Sequence, residues 1–360
     1  MYLKILPFNK TLFKKDFNMV KILAFAIAAI LFISITAYML SRPNSLNNLE
    51  KYFAEEGIEY NRDDIIRGYK NEIKWKLTGE EASIFLLLLI PIILVGILFG
   101  EEKRNKTFEV LSVMPYTRYE IFFNKLLAAL LAMILPFIMN GLIMILALGI
   151  SHNLRIFYSV KQILVWMLLN IYYQLPILSF SLLFGIITGT TISQVILTVI
   201  FLIFPVGFPL LIAYNLEYWE IHWMANNIGS FRIRSFLGKI LMDYSILGVF
   251  DSYNYGIKHY IYYIILSIIL IIISKILFDK IKMERSGETL EFEKTEGFFK
   301  LGVSVCTALL MALILVWFSD GFIYDYFFNR ALLLIIGYII GGAIGYFVAK
   351  FSIKFNKSKA

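Results

Sequence analysis

The stretch LLAALLAMILPFIMNGLIMILALGI, residues 126–150, runs for 25 residues without one charged side chain. A helix needs about 20 mainly apolar residues to cross the hydrocarbon core of a bilayer. The whole chain agrees, because 59% of its 360 residues are hydrophobic and only 17% are charged. Soluble domains are about 45–50% apolar and about 25% charged. The sequence therefore predicts an all-α polytopic membrane protein.

About eight stretches are apolar and long enough to be transmembrane helices. They cover residues 19–40, 82–99, 126–150, 162–187, 191–214, 259–278, 301–319 and 331–349. Only Gly189, Thr190 and Thr191 separate the fourth from the fifth, which predicts a tight hairpin. The stretch 236–250 is too short and too charged to span a membrane. We leave open whether it is re-entrant or interfacial.

The basic residues orient these predicted helices. Lys and Arg collect in cytoplasmic loops of membrane proteins, and most of the 34 basic residues fall on one side when both termini are placed inside. Residues 100–125 are then cytoplasmic, whereas the loops 41–81 and 215–257 are external. Loop 41–81 could fold as a helical hairpin. The net charge of +8 is explained by these loops, so we predict no binding to nucleic acid.

Several kinds of active site are disfavoured by what the sequence lacks. No Asp, Glu, Lys, Arg or His lies in the middle of a predicted span, although such residues mark proton and ion pathways. The three histidines, His152, His222 and His259, are scattered, so we predict no metal site, cofactor or catalytic cluster. A G-x-x-x-x-G-K-[ST] nucleotide loop is also absent. The chain is predicted not to be an enzyme, and energy for vectorial work would come from a partner.

The charged stretch GEEKRNKTFEVLSVMPYTRYEIFFNK, residues 100–125, lies between two apolar runs. Its first acids suit the first turn of a helix, and its apolar residues then recur at helical spacing until Pro115, which ends a helix. Thr117 and Glu120 fit a capping box, so a new helix is predicted to begin at Arg118. The result is a helix–Pro–helix elbow that could receive force from a cytoplasmic protein. An ordinary connecting loop is the alternative.

Two further patterns concern the ends of the chain. Residues 8–20 alternate aromatic and apolar side chains with lysines, which predicts a basic amphipathic helix suited to the inner membrane surface. Gly337, Gly341 and Gly345 recur at four-residue spacing, a small-residue face for close helix packing. Packing within the chain is favoured over dimerisation of subunits.

The order and spacing of the charged stretch resemble the membrane subunit of ABC type-2 transporters. The residues that carry the resemblance are Glu101, Glu102, Thr107, Glu109, Leu111, Pro115, Arg118 and Lys125. Lys106 stands where that family has Gly. The resemblance covers residues 1–280 as a six-helix core. A cytoplasmic linker, 281–300, and an additional helix pair with a basic tail, 301–360, would follow, as in some permeases of Gram-positive bacteria.

The resemblance implies the permease subunit of a bacterial ABC exporter in the cytoplasmic membrane. Its substrate would be amphipathic or lipid-like, moved out of the cell with ATP hydrolysed by a separate subunit. The implied partners are a cytoplasmic ATPase, a second permease subunit (identical or a sibling) and the lipid bilayer. Seven residues would form the ATPase docking surface: Glu101, Glu102, Thr107, Glu109, Leu111, Pro115 and Arg118. The alternative is a membrane protein without transport activity, such as a membrane enzyme or an immunity or sensor component.

Overall fold

Every regular element in the described part of the chain is helical, which confirms the predicted all-α class. The computed structural model describes residues 7–78, 83–104, 111, 113–221, 243–251, 256–281, 293–319 and 327–357. Contacts between Cα positions divide the chain into two compact units. Unit one comprises Met1–Leu98 and Tyr116–Leu178, and unit two comprises Phe99–Pro115 and Ser179–Ala360.

Eleven α-helices are given bounds in the described part of the chain. In chain order they are α1 (Lys10–Leu31), α2 (Ala37–Glu56), α3 (Arg62–Thr78), α4 (Ser83–Val95), α5 (Glu101–Arg104), α6 (Arg118–Ile150), α7 (Val160–Ile187), α8 (Thr191–Tyr218), α9 (Ile257–Asp279), α10 (Glu293–Ser319) and α11 (Phe327–Lys357). Phe32–Thr36 and Gly96–Gly100 are π turns that join α1 to α2 and α4 to α5. His152–Ile156 and Ile246–Asp251 are short 3-10 helices.

Seven helical segments in the described residues are long and apolar enough to cross a membrane. They are Lys10–Glu56, Arg118–Ile150, Val160–Ile187, Thr191–Tyr218, Ile257–Asp279, Glu296–Ser319 and Arg330–Phe351. A multi-pass membrane protein is therefore supported. The predicted span 82–99 is not among the seven. The count of eight remains a prediction.

The first helical segment continues well beyond the end predicted for it at residue 40. Helix α2 runs through Pro43 to Glu56, although proline removes a backbone donor from a helix. In the turn before the proline, Ser41 Oγ and Arg42 Nε both donate to the Tyr38 carbonyl. Gly57 ends the helix at φ 64°, the left-handed conformation that glycine adopts without steric cost. Residues 41–78 therefore form a helix–turn–helix.

Arg42 holds α3 against α2 within unit one. Its guanidinium carbon lies 3.7 Å from the ring centroid of Tyr38 and 5.0 Å from that of Tyr69. The same guanidinium pairs with the Glu72 carboxylate at 3.6 Å. Cation–π and ionic attraction therefore act together from both helices. The hydrophobic pattern alone could not have predicted this contact, since it joins polar side chains of a predicted loop.

The core of unit one is built where α1 packs along α6. Asn140, buried in α6, donates to the carbonyls of Ala28 and Pro136 at 3.0 and 2.9 Å. Its Oδ1 accepts a hydrogen bond of 2.7 Å from the Thr36 hydroxyl, in the first π turn. An amide inside a membrane helix is stabilised when it is hydrogen-bonded to its neighbours. This network fixes the register of α1 against α6.

The paired helices α10 and α11 dominate the described part of unit two. Gly337, Gly341 and Gly345 face α10, and a Cβ built on Gly341 would lie 2.5 Å from the Thr307 carbonyl oxygen. The prediction that this glycine face packs within the chain is confirmed. Tyr338 donates to Asn215 Oδ1 at 2.8 Å, which connects α11 to α8.

Parts of several predicted segments lie outside the described residues. These are 222–242 and 252–255 of the loop 215–257, 236–242 of the candidate re-entrant stretch, and 282–292 of the predicted linker.

Candidate functional site

The charged stretch is divided between buried and exposed positions. Glu102 is only 3% exposed and Leu111 only 5%, so both side chains point into the protein. Glu101 and Arg118 are half-buried, and Pro115 is exposed. Thr107 and Glu109 lie outside the described residues. As the chain is folded here, Glu101, Pro115 and Arg118 are the described members of the predicted docking set that reach solvent.

The capping box predicted at Thr117 is confirmed. The Glu120 amide donates to Thr117 Oγ1 at 3.2 Å, and the Thr117 amide donates to Glu120 Oε2 at 3.0 Å. Helix α6 begins at Arg118, as the pattern predicted. Two backbone donors that a helix start would otherwise leave without acceptors are satisfied in this way.

Replacing Thr117 with alanine should fray the first turn of α6. A lost cap costs about 1 kcal/mol, which is enough to raise the opening of a single turn about fivefold without unfolding a helix of 33 residues. Hydrogen exchange of the amides of residues 118–121 measures the change. Thr117→Ser keeps the hydroxyl and serves as the control. Equal exchange in Thr117→Ala and the wild type would contradict the role of the cap.

The turn before α6 presents apolar side chains to its surroundings. Val113 is 87% exposed and Met114 is 43% exposed, and Pro115 follows them in the chain. Tyr119, in the first turn of α6, is also exposed. Charge patterning predicts that this turn is cytoplasmic, where no lipid tails cover it. Apolar side chains exposed together at such a place are typical of a contact with another protein.

A buried ion pair connects the N-terminal helix to α6 in unit one. Lys125 Nζ lies 3.5 Å from Asp16 Oδ1 and donates to the Leu98 carbonyl at 2.7 Å. The two side chains are 1% and 2% exposed. Leu98 belongs to the π turn Gly96–Gly100, and π turns are frequent at functional sites. Lys125 therefore joins α1, the π turn and α6.

Asn124 strengthens the same connection one residue earlier. Its Nδ2 donates to the Pro7 carbonyl at 3.0 Å, and its Oδ1 accepts from the Asn9 amide at 3.1 Å. Asn9 is itself the N-cap of α1 and accepts from the amides of Thr11 and Leu12. Residues 8–20, predicted as an amphipathic helix, thus form the capped first part of a helix that continues past Val20 to Leu31.

Lys103 makes a second buried connection, in unit two. It is 1% exposed, and its Nζ donates to the carbonyls of Gly185, Ile186 and Thr188 at 3.0, 3.0 and 2.9 Å. These carbonyls belong to the last turn of α7 and the residue after it. The sequence analysis did not single out Lys103, because backbone acceptors leave no trace in a sequence. Asp16 could have been noticed in the sequence, because it is the single acid among the lysines of residues 8–20.

Titratable groups are also found away from the charged stretch. Among the residues described by the structure, no group of three His, Cys, Asp or Glu side chains could hold a metal ion. Burial raises the pKa of Tyr158, in the turn between α6 and α7, to about 12. This hydroxyl therefore stays neutral at physiological pH. His259 lies against aromatic rings, 5.0 Å from that of Tyr244.

Comparison with models of protein families, with curated proteins and with solved structures finds no match to this chain.

Proposed function

We propose that the chain is the transmembrane permease subunit of an ATP-binding cassette exporter in a bacterial cytoplasmic membrane. The observation that carries the proposal is the turn at residues 113–117. An exposed apolar tip, Val113 and Met114, is followed at once by a capped helix of 33 residues. That combination suits a surface that receives force and passes it to a long helix. A loop that only joins two membrane helices requires neither feature.

The partner at this turn is a cytoplasmic ATPase subunit. The chain has no nucleotide-binding loop of its own, so ATP would be bound and hydrolysed by the partner. The apolar tip supplies an area that the partner can remove from water, at roughly 25 cal/mol for each Å² buried. Glu101 and Arg118, both half-buried, would add charged contacts. Glu102 and Leu111 would support the segment from inside rather than touch the ATPase.

A push on this turn would act first on α6. The capping box fixes the start of that helix at Thr117, and Asn124 and Lys125 tie it to the N-terminal helix. The two helices also pack along each other. Closure of the ATPase subunits would therefore move α1 and α6 together. With a second permease subunit, identical or a sibling, such movements would open a path between the two.

The chemistry of the helices favours an amphipathic or lipid-like substrate over an ion. Amide side chains are buried along α6 and α7, and Asn140 and Asn170 donate to carbonyls of their own helices. Ion pathways through membranes use ionisable side chains, and the middle of each predicted span lacks them. Outward direction is proposed from the resemblance to ABC type-2 transporters alone.

Replacing Val113 or Met114 with aspartate should weaken association with the ATPase about tenfold or more. A carboxylate in a contact that excludes water costs well over the 1.4 kcal/mol that corresponds to tenfold in affinity. The ATPase to test is a chain with a G-x-x-x-x-G-K-[ST] loop whose gene lies next to that of the permease. Its affinity for the purified permease in nanodiscs is measured by biolayer interferometry, and its ATP turnover is measured in the same samples.

Val160→Asp is the matched control. Val160 is apolar and 44% exposed, but it lies at the start of α7, on the predicted outer side. This variant should bind the ATPase as the wild type does. If Val113→Asp and Met114→Asp also bind normally, the docking assignment is wrong. If no nucleotide-binding partner associates with the wild type, the alternative of a membrane protein without transport activity is favoured.

A further inference from the structure

We propose that Lys103 is a positioning residue that makes residues 99–104 and the α7–α8 turn, residues 185–194, move as one body. The attachment is argued from the hydrogen bonds of Lys103. Its role in passing force from the charged stretch to the turn rests on the proposed function. All of these residues belong to unit two.

The contacts of Lys103 are matched to the chemistry of a helix end. The last carbonyls of an α-helix receive no hydrogen bond from within the helix, and the helix dipole makes this end negative. An ammonium carries three donors, and three carbonyls of residues 185–188 lie within 3.0 Å of Lys103 Nζ. The charged group is buried, so breaking these contacts would leave both a cation and helix-end carbonyls poorly solvated. The attachment is therefore hard to break.

Gly100 brings the same segment against the start of α8. A Cβ built on Gly100 would lie 2.6 Å from Thr191 Cα and 2.8 Å from Thr191 N. Real side chains do not approach a backbone so closely, so only glycine allows this contact. The segment thus touches the α7–α8 turn at two places, through Lys103 on the α7 side and through Gly100 on the α8 side.

The turn itself is held together by side chains from both of its helices. Thr190 caps α8 by accepting from the Ser193 amide at 3.2 Å. Gln194 Nε2 donates across the hairpin to Ser181 Oγ at 2.7 Å. The Thr188 hydroxyl donates back to the Phe184 carbonyl at 2.7 Å. A displacement of any part of residues 185–194 therefore displaces the rest.

The consequence is a mechanical path that the docking surface alone does not provide. Residues 99–104 begin the charged stretch, and charge patterning places both this stretch and the α7–α8 turn on the predicted cytoplasmic side. With Lys103 in place, a force on the stretch is transmitted to the ends of α7 and α8. Without Lys103, the stretch would lose its attachment to the end of α7, and less of its movement would reach the two helices.

The first experiment tests the attachment without any partner. Hydrogen exchange is measured for peptides covering residues 99–104 and 185–194 of the full chain in nanodiscs. We expect slow exchange of both peptides in the wild type, faster exchange of both in Lys103→Met, and recovery in Lys103→Arg, since a guanidinium also donates to carbonyls. Lys275→Met is the control, because Lys275 pairs only one turn away with Asp279 on an exposed surface. Unchanged exchange in Lys103→Met overturns the proposal.

Gly100→Ala provides a second variant that keeps the ammonium. The added methyl group would collide with the Thr191 backbone, so residues 99–104 should be pushed from the turn and both peptides should exchange faster. This variant decides the matter if Lys103→Met cannot be purified. Normal exchange in Gly100→Ala would mean that the close contact does not hold the two segments together.

The second experiment tests the transmission of force. A spin label is placed at Ile192, which is 68% exposed at the start of α8, by Ile192→Cys in a Cys306→Ser background. Nucleotide binding to the associated ATPase should change the mobility of the label, and Lys103→Met should weaken the change while the ATPase still co-purifies. A response of unchanged size in Lys103→Met overturns the positioning role. A wild type that shows the exchange pattern but binds no ATPase would leave the attachment standing and refute the proposed function.

Discussion

Replacing Lys125 with methionine should lower the free energy of unfolding by about 3 kcal/mol, whereas the same change at Lys15 should cost less than about 1 kcal/mol. Both ammonium groups lie 3.5 Å from the same atom, Asp16 Oδ1. They differ in exposure, because the Lys125 side chain is 1% exposed and that of Lys15 is 38% exposed. The two variants therefore compare a buried and an exposed ammonium at the same distance from one carboxylate oxygen.

The expected difference follows from desolvation. Removing one partner of a buried pair leaves the other charge without compensation and costs about 3–5 kcal/mol. The lower end applies to Lys125→Met, because Lys15 still reaches Asp16 after the substitution. The Leu98 carbonyl also loses the donor that binds it at 2.7 Å. The Lys15 ammonium is exposed and solvated, so its attraction to the buried Asp16 carboxylate is screened and contributes less.

The measurement is the unfolding of each variant in mixed micelles, followed as the fraction of denaturing detergent rises. The double variant Asp16→Leu, Lys125→Met removes both charges and should recover most of the lost stability, because apolar replacements of a buried pair are often neutral or stabilising. Equal losses in Lys15→Met and Lys125→Met would show that burial does not govern this pair. A double variant no better than Lys125→Met would show that Lys125 stabilises chiefly through Leu98.

Local patterns in the sequence predicted local structure correctly. Long apolar runs predicted the membrane helices because twenty or so such residues match the bilayer. Thr117 and Glu120 predicted the start of α6, since a capping box needs only residues three apart. The hairpin at Gly189–Thr191 followed from the short gap between two runs, and the structure begins α8 at Thr191. In each case the physical cause lies within a few residues of the chain.

Contacts between distant residues could not be predicted in the same way. Asp16 and Lys125 are 109 positions apart, and nothing in one sequence relates them. Lys103 binds carbonyls, which every residue possesses, so its partners at 185–188 have no signature. The extension of the first helix to Glu56 was missed because hydropathy falls at Ser41. The buried residues of α2 are Met39 and Leu46 alone, so its hydrophobic pattern was a weak sign that the helix continues.

The glycine face lies between these two cases. The four-residue spacing of Gly337, Gly341 and Gly345 predicted a close helix contact, but it did not reveal which helix is contacted. The partner is α10, whose Ser304 and Thr307 hydroxyls donate to the carbonyls of Gly342 and Gly341 at 2.7 and 2.9 Å. Small residues let the backbones approach, and the hydroxyls then reach across. The contact between α10 and α11 can therefore be tested by comparing substitutions at two adjacent glycines, Gly341 and Gly342.

Gly341→Ala should destabilise the α10–α11 pair by about 2 kcal/mol, and Gly342→Ala should not destabilise it at all. A Cβ at Gly341 would lie 2.5 Å from the Thr307 carbonyl oxygen and 2.9 Å from Ala308 Cα, which are backbone atoms that cannot turn aside. A Cβ at Gly342 would make ordinary contacts, 3.8 Å from Ala308 Cβ and 3.9 Å from Ser304 Oγ. The two substitutions add the same methyl group to adjacent residues of one helix.

The expected signs differ for a physical reason. At Gly341 the helices must separate, which lengthens the hydrogen bond from Thr307 Oγ1 and loses dispersion contacts along the pair. At Gly342 alanine fits, and it favours the helix over glycine by up to about 1 kcal/mol. Unfolding in mixed micelles, with protease cleavage between α10 and α11 as a second readout, measures both variants. If instead Gly341→Ala leaves stability unchanged and alters only the association of subunits, the glycine face acts between chains, and the intramolecular packing does not limit the stability of this pair.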